Sequence, residues 1–250
     1  MRLAGKRIIV TGGSRGIGRG IALTMAKEGA KVAINYTANE AAAVEVTEKI
    51  TSIGGTAISV QADVANKAQV DVMVAGVERA FGGIDVLVNN AGVCHFLDFF
   101  QTTEAEWDFH QDINCKGIFL CSQSAARVMR IQGGGRIVNV TSISGEKATN
   151  AKQVAYCTSK GAANMLTQVM AVALAPYKIT VNAVLPGTIK TDINREVLAQ
   201  EGAEAAIVGA TPLKSLGLPD HVAQAVVYFA SDESAWTTGA LLPVDGGFML

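Results

Sequence analysis

The chain's 250 residues carry a formal net charge of −1 at pH 7, too little basic excess to neutralise a run of phosphates, which excludes nucleic-acid binding as the main task. Hydrophobic residues make up 49% of the sequence but fall in short pieces. None approaches the roughly 20 apolar residues that cross a bilayer, and Met1 to Arg7 leads into a first strand without a signal-peptide core. The expectation is a cytoplasmic protein that acts on a small molecule, with no nucleic-acid or membrane partner.

β-Branched runs recur in chain order at Ile8 to Val10, Val32 to Tyr36, Ala57 to Val60, Val86 to Asn89, Ile137 to Val140, Ile179 to Val184 and Leu241 to Val244. Between them the apolar spacing is helical, as in Ile17, Ile21 and Met25, or Ala162, Leu166, Val169 and Leu174. Strands that alternate with helices and are apolar throughout predict an α/β fold. Its seven-stranded parallel sheet is doubly wound, with right-handed crossovers and helices on both faces. Gly29, Gly54-Gly55, Gly82-Gly83 and Gly133 to Gly135 fall where helices stop and the chain returns to a strand. No linker interrupts the pattern, so residues 1–250 form one domain. Residues 187–217 lack steady periodicity; they read as a substrate lid or as a surface excursion of one or two short helices.

The first strand runs into Thr11-Gly12-Gly13-Ser14-Arg15-Gly16-Ile17-Gly18, and a helix follows. In that position glycines let backbone approach a pyrophosphate while the helix start offers unpaired N–H groups. Gly12, Ser14, Arg15, Gly16, Ile17 and Gly18 are therefore expected to bind a dinucleotide. About 20 residues further on, where a carboxylate would grip the ribose 2′-hydroxyl, stand Asn35, Tyr36 and Thr37. With no acid there to repel a 2′-phosphate and Arg15 in the turn to attract it, NADP is expected over NAD, with NAD still possible. Asp63 and Val64, after the third strand, suit an adenine edge, although an aspartate there also serves as a helix cap.

Tyr156 and Lys160 lie four residues apart, on one face of a helix. A phenol beside an ammonium is poised for proton transfer, because the charge favours phenolate and lowers a pKa otherwise near 10. Cys94, Cys115, Cys121 and Cys157 contain no C-x-x-C pair, and His95, His110 and His221 show no ligand spacing. Reduced thiols and no metal are expected.

On Thr11 to Gly18, Asp63-Val64, Asn89-Asn90-Ala91-Gly92, Asn114, Ser142, Tyr156-x3-Lys160, Pro186-Gly187 and Val244-Asp245-Gly246-Gly247, the chain resembles the short-chain dehydrogenases/reductases along essentially its whole length. The resemblance implies a Rossmann-type fold and a homotetramer built through helices around residues 103–131 and 154–176 and the last strand. It implies that Asn90, Ala91 and Gly92 floor the cofactor site and that Pro186, Gly187, Thr188 and Ile189 flank the nicotinamide. Asn114, Ser142, Tyr156 and Lys160 then form the catalytic set, with Tyr156 and Lys160 also touching cofactor. Asn114 acts through its backbone to seat a water, and Ser142 donates to the substrate oxygen. Ser142 and Tyr156 stand 14 residues apart, one more than in many relatives, which places an extra residue in the loop from Gly145 to Lys152, on the pocket wall.

Pocket candidates are Cys94, His95, Phe96, Ser144, Glu146, Gln153, Thr188 and Asn194, with Ser142 and Tyr156 completing the substrate set. Hydroxyls and amides there suit a polyhydroxylated substrate, whose groups must be repaired as they leave water. Ser144, Gln153, Thr188 and Asn194 look like those of sugar 1-dehydrogenases of the L-rhamnose type, which would make a lactone. The alternative resemblance is to 3-oxoacyl-carrier-protein reductases, which share the glycine turn and for which Arg127 could meet an acidic carrier; Ala175-Pro176-Tyr177-Lys178 lacks the second arginine of that contact. A non-catalytic NADP-sensing regulator is the remaining reading, opposed by the intact Ser142, Tyr156 and Lys160.

Overall fold

The computed structural model describes the backbone of all 250 residues and every side chain except those of Ile193, Glu196 and Val197. Seven strands form one parallel sheet: β1 (Arg7–Val10), β2 (Lys31–Tyr36), β3 (Thr56–Gln61), β4 (Val86–Asn89), β5 (Gly135–Val140), β6 (Ile179–Pro186) and β7 (Leu241–Val244). Their order across the sheet is β3-β2-β1-β4-β5-β6-β7. The chain thus steps outward from β1 to β3 and restarts at β4 on the other side of β1. Beyond the carboxyl ends of β1 and β4 this reversal leaves a crevice, the usual ligand position in such sheets.

Helices α1 (Gly16–Lys27), α2 (Glu40–Ser52) and α9 (Pro219–Ala230) cover one face, where Ile21, Met25, Val46, Val222 and Val226 bury against Ile8, Val10 and Val32. Helices α3 (Lys67–Phe81), α5 (Gly117–Ile131) and α6 (Val154–Leu174) cover the other, with Val70, Met73, Leu120 and Met170 against Ile9, Leu87 and Ile137. All four residues of β4 are buried, whereas β3 is only partly buried along its length and β7 is exposed at two of its four positions. The expectation of strands apolar throughout therefore fails at the two edges, where a strand has one neighbour and one wet side. Pro243 sits in β7 because an edge position needs no N–H. At Gly82, with φ 82°, α3 ends in the left-handed region that glycine enters without strain.

Two segments depart from regular helix. Helix α4 (Glu104–Gln111) runs into α5 through one widened π turn at Asp112–Lys116, which carries Asn114. The segment 187–217 contains two short helices, α7 (Arg195–Leu198) and α8 (Ala203–Ala210), and is closed at its base by the bridge between Ile189 and Gly217. No helix is long and apolar enough to cross a membrane among the described residues.

Candidate active site

The glycine turn is shaped by close approach. Gly12 and Gly16 take φ 60° and 53°, and a Cβ on Gly18 would lie 2.3 Å from the Gly12 carbonyl oxygen and 2.4 Å from Asn90 Nδ2. Arg15, exposed just before the 12-residue α1, does not cap it with its side chain. The first N–H groups of that helix keep their donors for an anion. Ser14 is half-buried, and Ile17 packs partly into the core.

Thr11, which the sequence reading passed over as a site residue, joins this turn to the floor after β4. Its Oγ1 accepts from the amides of Asn90 (2.9 Å) and Ala91 (3.0 Å), and Asn90 Nδ2 donates back to the carbonyls of Thr11 (2.9 Å) and Gly12 (3.1 Å). The signal for it was its place at the head of the glycine motif, one residue beyond a strand whose neighbour ends in the floor.

Asn35 and Tyr36 do not present their side chains as the sequence suggested. Asn35 is buried: its Oδ1 accepts from Gly12 N at 3.2 Å and its Nδ2 donates to Ala62 O at 2.9 Å, so it props the turn from below. Tyr36 packs in the core and leaves Thr37 exposed at the strand end. Asp63 Oδ1 accepts from Ala65 N at 2.9 Å, while the cap of α3 falls to Asn66; Val64 is buried. Pro186 ends β6, and a Cβ on Gly187 would lie 2.9 Å from Asp245 Cα, so the closing Val244-Asp245-Gly246-Gly247 is built against it. Thr188 is half-buried, and Ile189 packs into the core.

The four catalytic candidates meet at the crevice from three elements. Tyr156 and Lys160 share α6, with Lys160 Nζ 5.7 Å from the Tyr156 ring centroid and donating to Val140 O at 3.2 Å. Ser142 follows β5 and its Oγ accepts from Ser144 N at 3.0 Å. Asn114 is fully buried; its Oδ1 accepts from Val93 N (2.8 Å), and its Nδ2 donates to Val93 O (2.9 Å) and to Ser159 Oγ (3.0 Å). Its side chain is spent as a brace, which leaves the main chain of the π turn to act. A Cβ on Gly92 would stand 3.1 Å from Asn114 Oδ1, a tight contact, and 3.4 Å from Lys160 Nζ, so the backbone runs close above this pair.

Burial sets the charges. It lowers the Lys160 ammonium to about 8, with the Cys94 charge acting weakly the other way. It also raises the Tyr156 phenol, although part of that residue stays exposed; the nearby thiol Cys94 adds to the rise and the Ser142 hydrogen bond opposes it. The lowering of the phenol expected from Lys160 is thus outweighed by burial. The same desolvation that disfavours phenolate also disfavours the ammonium that was to stabilise it.

A polar relay lines the wall beside Tyr156. Ser144 Oγ and Thr149 Oγ1 share a hydrogen bond of 2.7 Å, Thr149 Oγ1 reaches Gln153 Oε1 at 3.4 Å, and Gln153 Nε2 donates to Cys94 Sγ at 3.2 Å. Thr149 lies in the loop to which the sequence assigned an extra wall residue. Burial pushes the Cys94 thiol up to about 11. Two candidates are turned to other tasks: Asn194 Nδ2 donates to Ile189 O at 2.8 Å, stapling its own loop, and the His95 ring is held by α4, with Nδ1 2.9 Å from Glu106 Oε2. Glu146 is exposed. Among the described residues no group of three or more His, Cys, Asp or Glu side chains could hold a metal.

A crevice at the switch point, a helix start free to take a pyrophosphate, a floor of bare backbone and a phenol–amine pair above it fit a nicotinamide dinucleotide, and they define an oxidoreductase class. The comparisons agree. A family model described as enoyl-(acyl carrier protein) reductase matches residues 12–249. An L-rhamnose 1-dehydrogenase (NAD(P)(+)) from Azotobacter vinelandii is 43% identical over 254 residues, covering 100% of this chain and 99% of the relative. A 3-oxoacyl-[acyl-carrier-protein] reductase from Synechocystis is 38% identical over 243 residues, covering 97% and 96%. The solved structure of 7α-hydroxysteroid dehydrogenase complexed with NADH and 7-oxo glycochenodeoxycholic acid superposes with a TM-score of 0.94 at 34% identity, covering 98% and 95%. The chain belongs to the short-chain dehydrogenase/reductase family and is an NAD(P)-dependent oxidoreductase.

Proposed function

We propose that the protein is an aldose 1-dehydrogenase of the L-rhamnose type, oxidising the anomeric hydroxyl of the cyclic sugar to a lactone with NADP preferred over NAD. The observation that carries this reading is the hydrogen-bonded wall of Ser144, Thr149, Gln153 and Cys94 beside Tyr156, which offers hydroxyl and amide partners to a sugar leaving water. The 43% identity to an enzyme of that name supports it. A nicotinamide held over the Asn90 to Gly92 floor, with its pyrophosphate at the glycine turn, would supply the hydride acceptor for the anomeric carbon. Tyr156 would take the hydroxyl proton and Ser142 would donate to the same oxygen, while Lys160 would hold the cofactor ribose and favour the phenolate only in so far as it keeps its proton against burial. Loss of one hydride and one proton turns the hemiacetal into the lactone. For the cofactor, the support is the exposed Arg15 in the glycine turn and the neutral Thr37 at the end of β2.

We place the enzyme in the cytoplasm as a homotetramer of single-domain subunits, with residues 187–217 as the substrate lid. The second reading, a 3-oxoacyl-carrier-protein reductase, is favoured by the 38% identity to an enzyme of that name. A screen of aldoses and 3-oxoacyl thioesters with both cofactors, read at the reduced nicotinamide band, decides between them. L-Rhamnose oxidation without thioester reduction supports the sugar reading, and the reverse overturns it. The Tyr156→Phe variant is expected to lose turnover by at least about a hundredfold while cofactor affinity stays near wild type.

A further inference from the structure

We propose that His110 is a positioning residue: with Asn114 it clasps the segment from Val93 to His95 to one face of the α4–α5 helix, and so places the substrate-side wall against the proposed catalytic tyrosine.

The segment that leaves the floor after Gly92 is fastened at every second residue. Val93 is held by the Asn114 amide on both its N–H (2.8 Å) and its carbonyl (2.9 Å). His95 N donates to His110 Nε2 at 3.0 Å, and Leu97 N donates to Lys152 O at 2.9 Å. In extended chain this period of two leaves the residues between free for the other side. Cys94 accordingly meets Gln153 at 3.2 Å and lies within electrostatic range of Tyr156 and Lys160. Where the clasp sits therefore decides where the wall sits.

The helix side of the clasp has its own pattern. Glu106, Phe109 and His110 stand at i, i+3 and i+4, and Asn114 follows four residues on, so all share one face. Glu106 Oε2 lies 2.9 Å from His95 Nδ1, and Phe109 stacks on the His95 ring with centroids 5.4 Å apart. His110 is 1% exposed and fully used: since Nε2 accepts an amide N–H, the ring proton must sit on Nδ1, which donates to Glu106 O at 2.7 Å. These hydrogen bonds assign a neutral Nδ1–H tautomer. No side chain lacking an acceptor can replace it without leaving the His95 N–H unpaired.

The inference rests on the hydride-transfer reading only for its kinetic arm. With the substrate that the screen identifies, His110→Leu is expected to raise KM roughly tenfold with kcat and cofactor Kd near wild type, and His110→Gln, whose amide oxygen can accept from His95 N, to restore KM. Equal loss of kcat in both variants, or wild-type KM in the leucine variant, overturns the proposal. Two measurements need no substrate. Nitrogen–proton spectra of the wild-type imidazole at pH 7.5 are expected to show Nδ1–H and a bare, hydrogen-bonded Nε2; the opposite tautomer or a charged ring overturns the proposal. Iodoacetamide labelling followed by mass spectrometry is expected to modify Cys94 several-fold faster in the leucine variant than in wild type at the same pH, with Cys121 unchanged, and an unchanged Cys94 rate counts against the clasp.

Discussion

Lys160 is the residue whose chemistry most constrains the enzyme. Its side chain is buried with a backbone carbonyl as its hydrogen-bond acceptor and, among the described residues, no carboxylate in ion-pair contact, so folding works against its charge. The unfolded lysine holds its proton to 10.5 and the folded one only to about 8, so between these values the unfolded state binds more protons and stability must rise with pH. Below 8 both states are protonated and the penalty is complete and constant. For the cofactor-free protein we expect the urea unfolding free energy to climb from pH 8 to pH 10 by on the order of 1 kcal/mol per unit. Lys160→Met should flatten that rise. A flat wild-type profile would mean that the ammonium finds a stabilising partner in solution. On the proposed NADP reading, the exposed guanidinium of Arg15 would meet the 2′-phosphate at the other end of the site. Arg15→Ala is expected to raise KM for NADP roughly tenfold and leave KM for NAD within twofold, because only NADP carries the group it would pair with. Equal effects on both cofactors would remove Arg15 from the basis of the preference.

At the scale of elements, the site depends on loops tied to one another across strands distant in sequence. Thr11 is 1% exposed and its hydroxyl satisfies two amides of the floor, so Thr11→Val keeps the shape but orphans both N–H groups. Burial of unpaired amides costs about 1–3 kcal/mol each. A destabilisation of at least that size by urea unfolding, with weaker NADPH binding by fluorescence, is the expected outcome; an unchanged midpoint would show that water replaces the hydroxyl. The same ties explain what sequence could and could not show. The runs that became β1, β2, β4, β5 and β6 were legible because their residues are buried from both faces, and Tyr156-x3-Lys160 was legible because helix spacing alone pairs them. The burial of Asn35 and Tyr36 was not legible because it is decided by pairing with β3 and, for Asn35, by the Ala62 carbonyl, which no local pattern announces. The π turn at Asp112–Lys116 has no distinguishing composition, and the roles of Thr149 and His110 arise from contacts between segments 15 or more residues apart or inside an irregular loop.

For the whole molecule, the proposed catalytic pair Tyr156 and Lys160 sits on a helix that is apolar on two sides. The face of α6 bearing Ala163, Thr167, Met170 and Ala171 is buried against the sheet, yet Met165, Val169 and Val172, spaced by four and three residues, are 60%, 56% and 79% exposed. Phe119 on the adjacent α5 and Trp107 on α4 add to the same exposed apolar set, at 43% and 38%. Isolated exposed apolar residues need no explanation, but a stripe at helical spacing on a helix already buried elsewhere is the pattern of a subunit contact. A net charge of −1 offers little repulsion between copies. If α6 is held from outside by a partner subunit, then the placement of Tyr156 and Lys160 depends on assembly, and breaking the contact should lower mass and activity together. We expect the double variant Val169→Glu, Val172→Glu to sediment as a smaller species than wild type and to lose activity in proportion to the dissociated fraction, with activity recovering as protein concentration is raised. A variant of unchanged mass, or one that dissociates with full activity, would place the subunit contact elsewhere and leave the catalytic helix stable by its own packing.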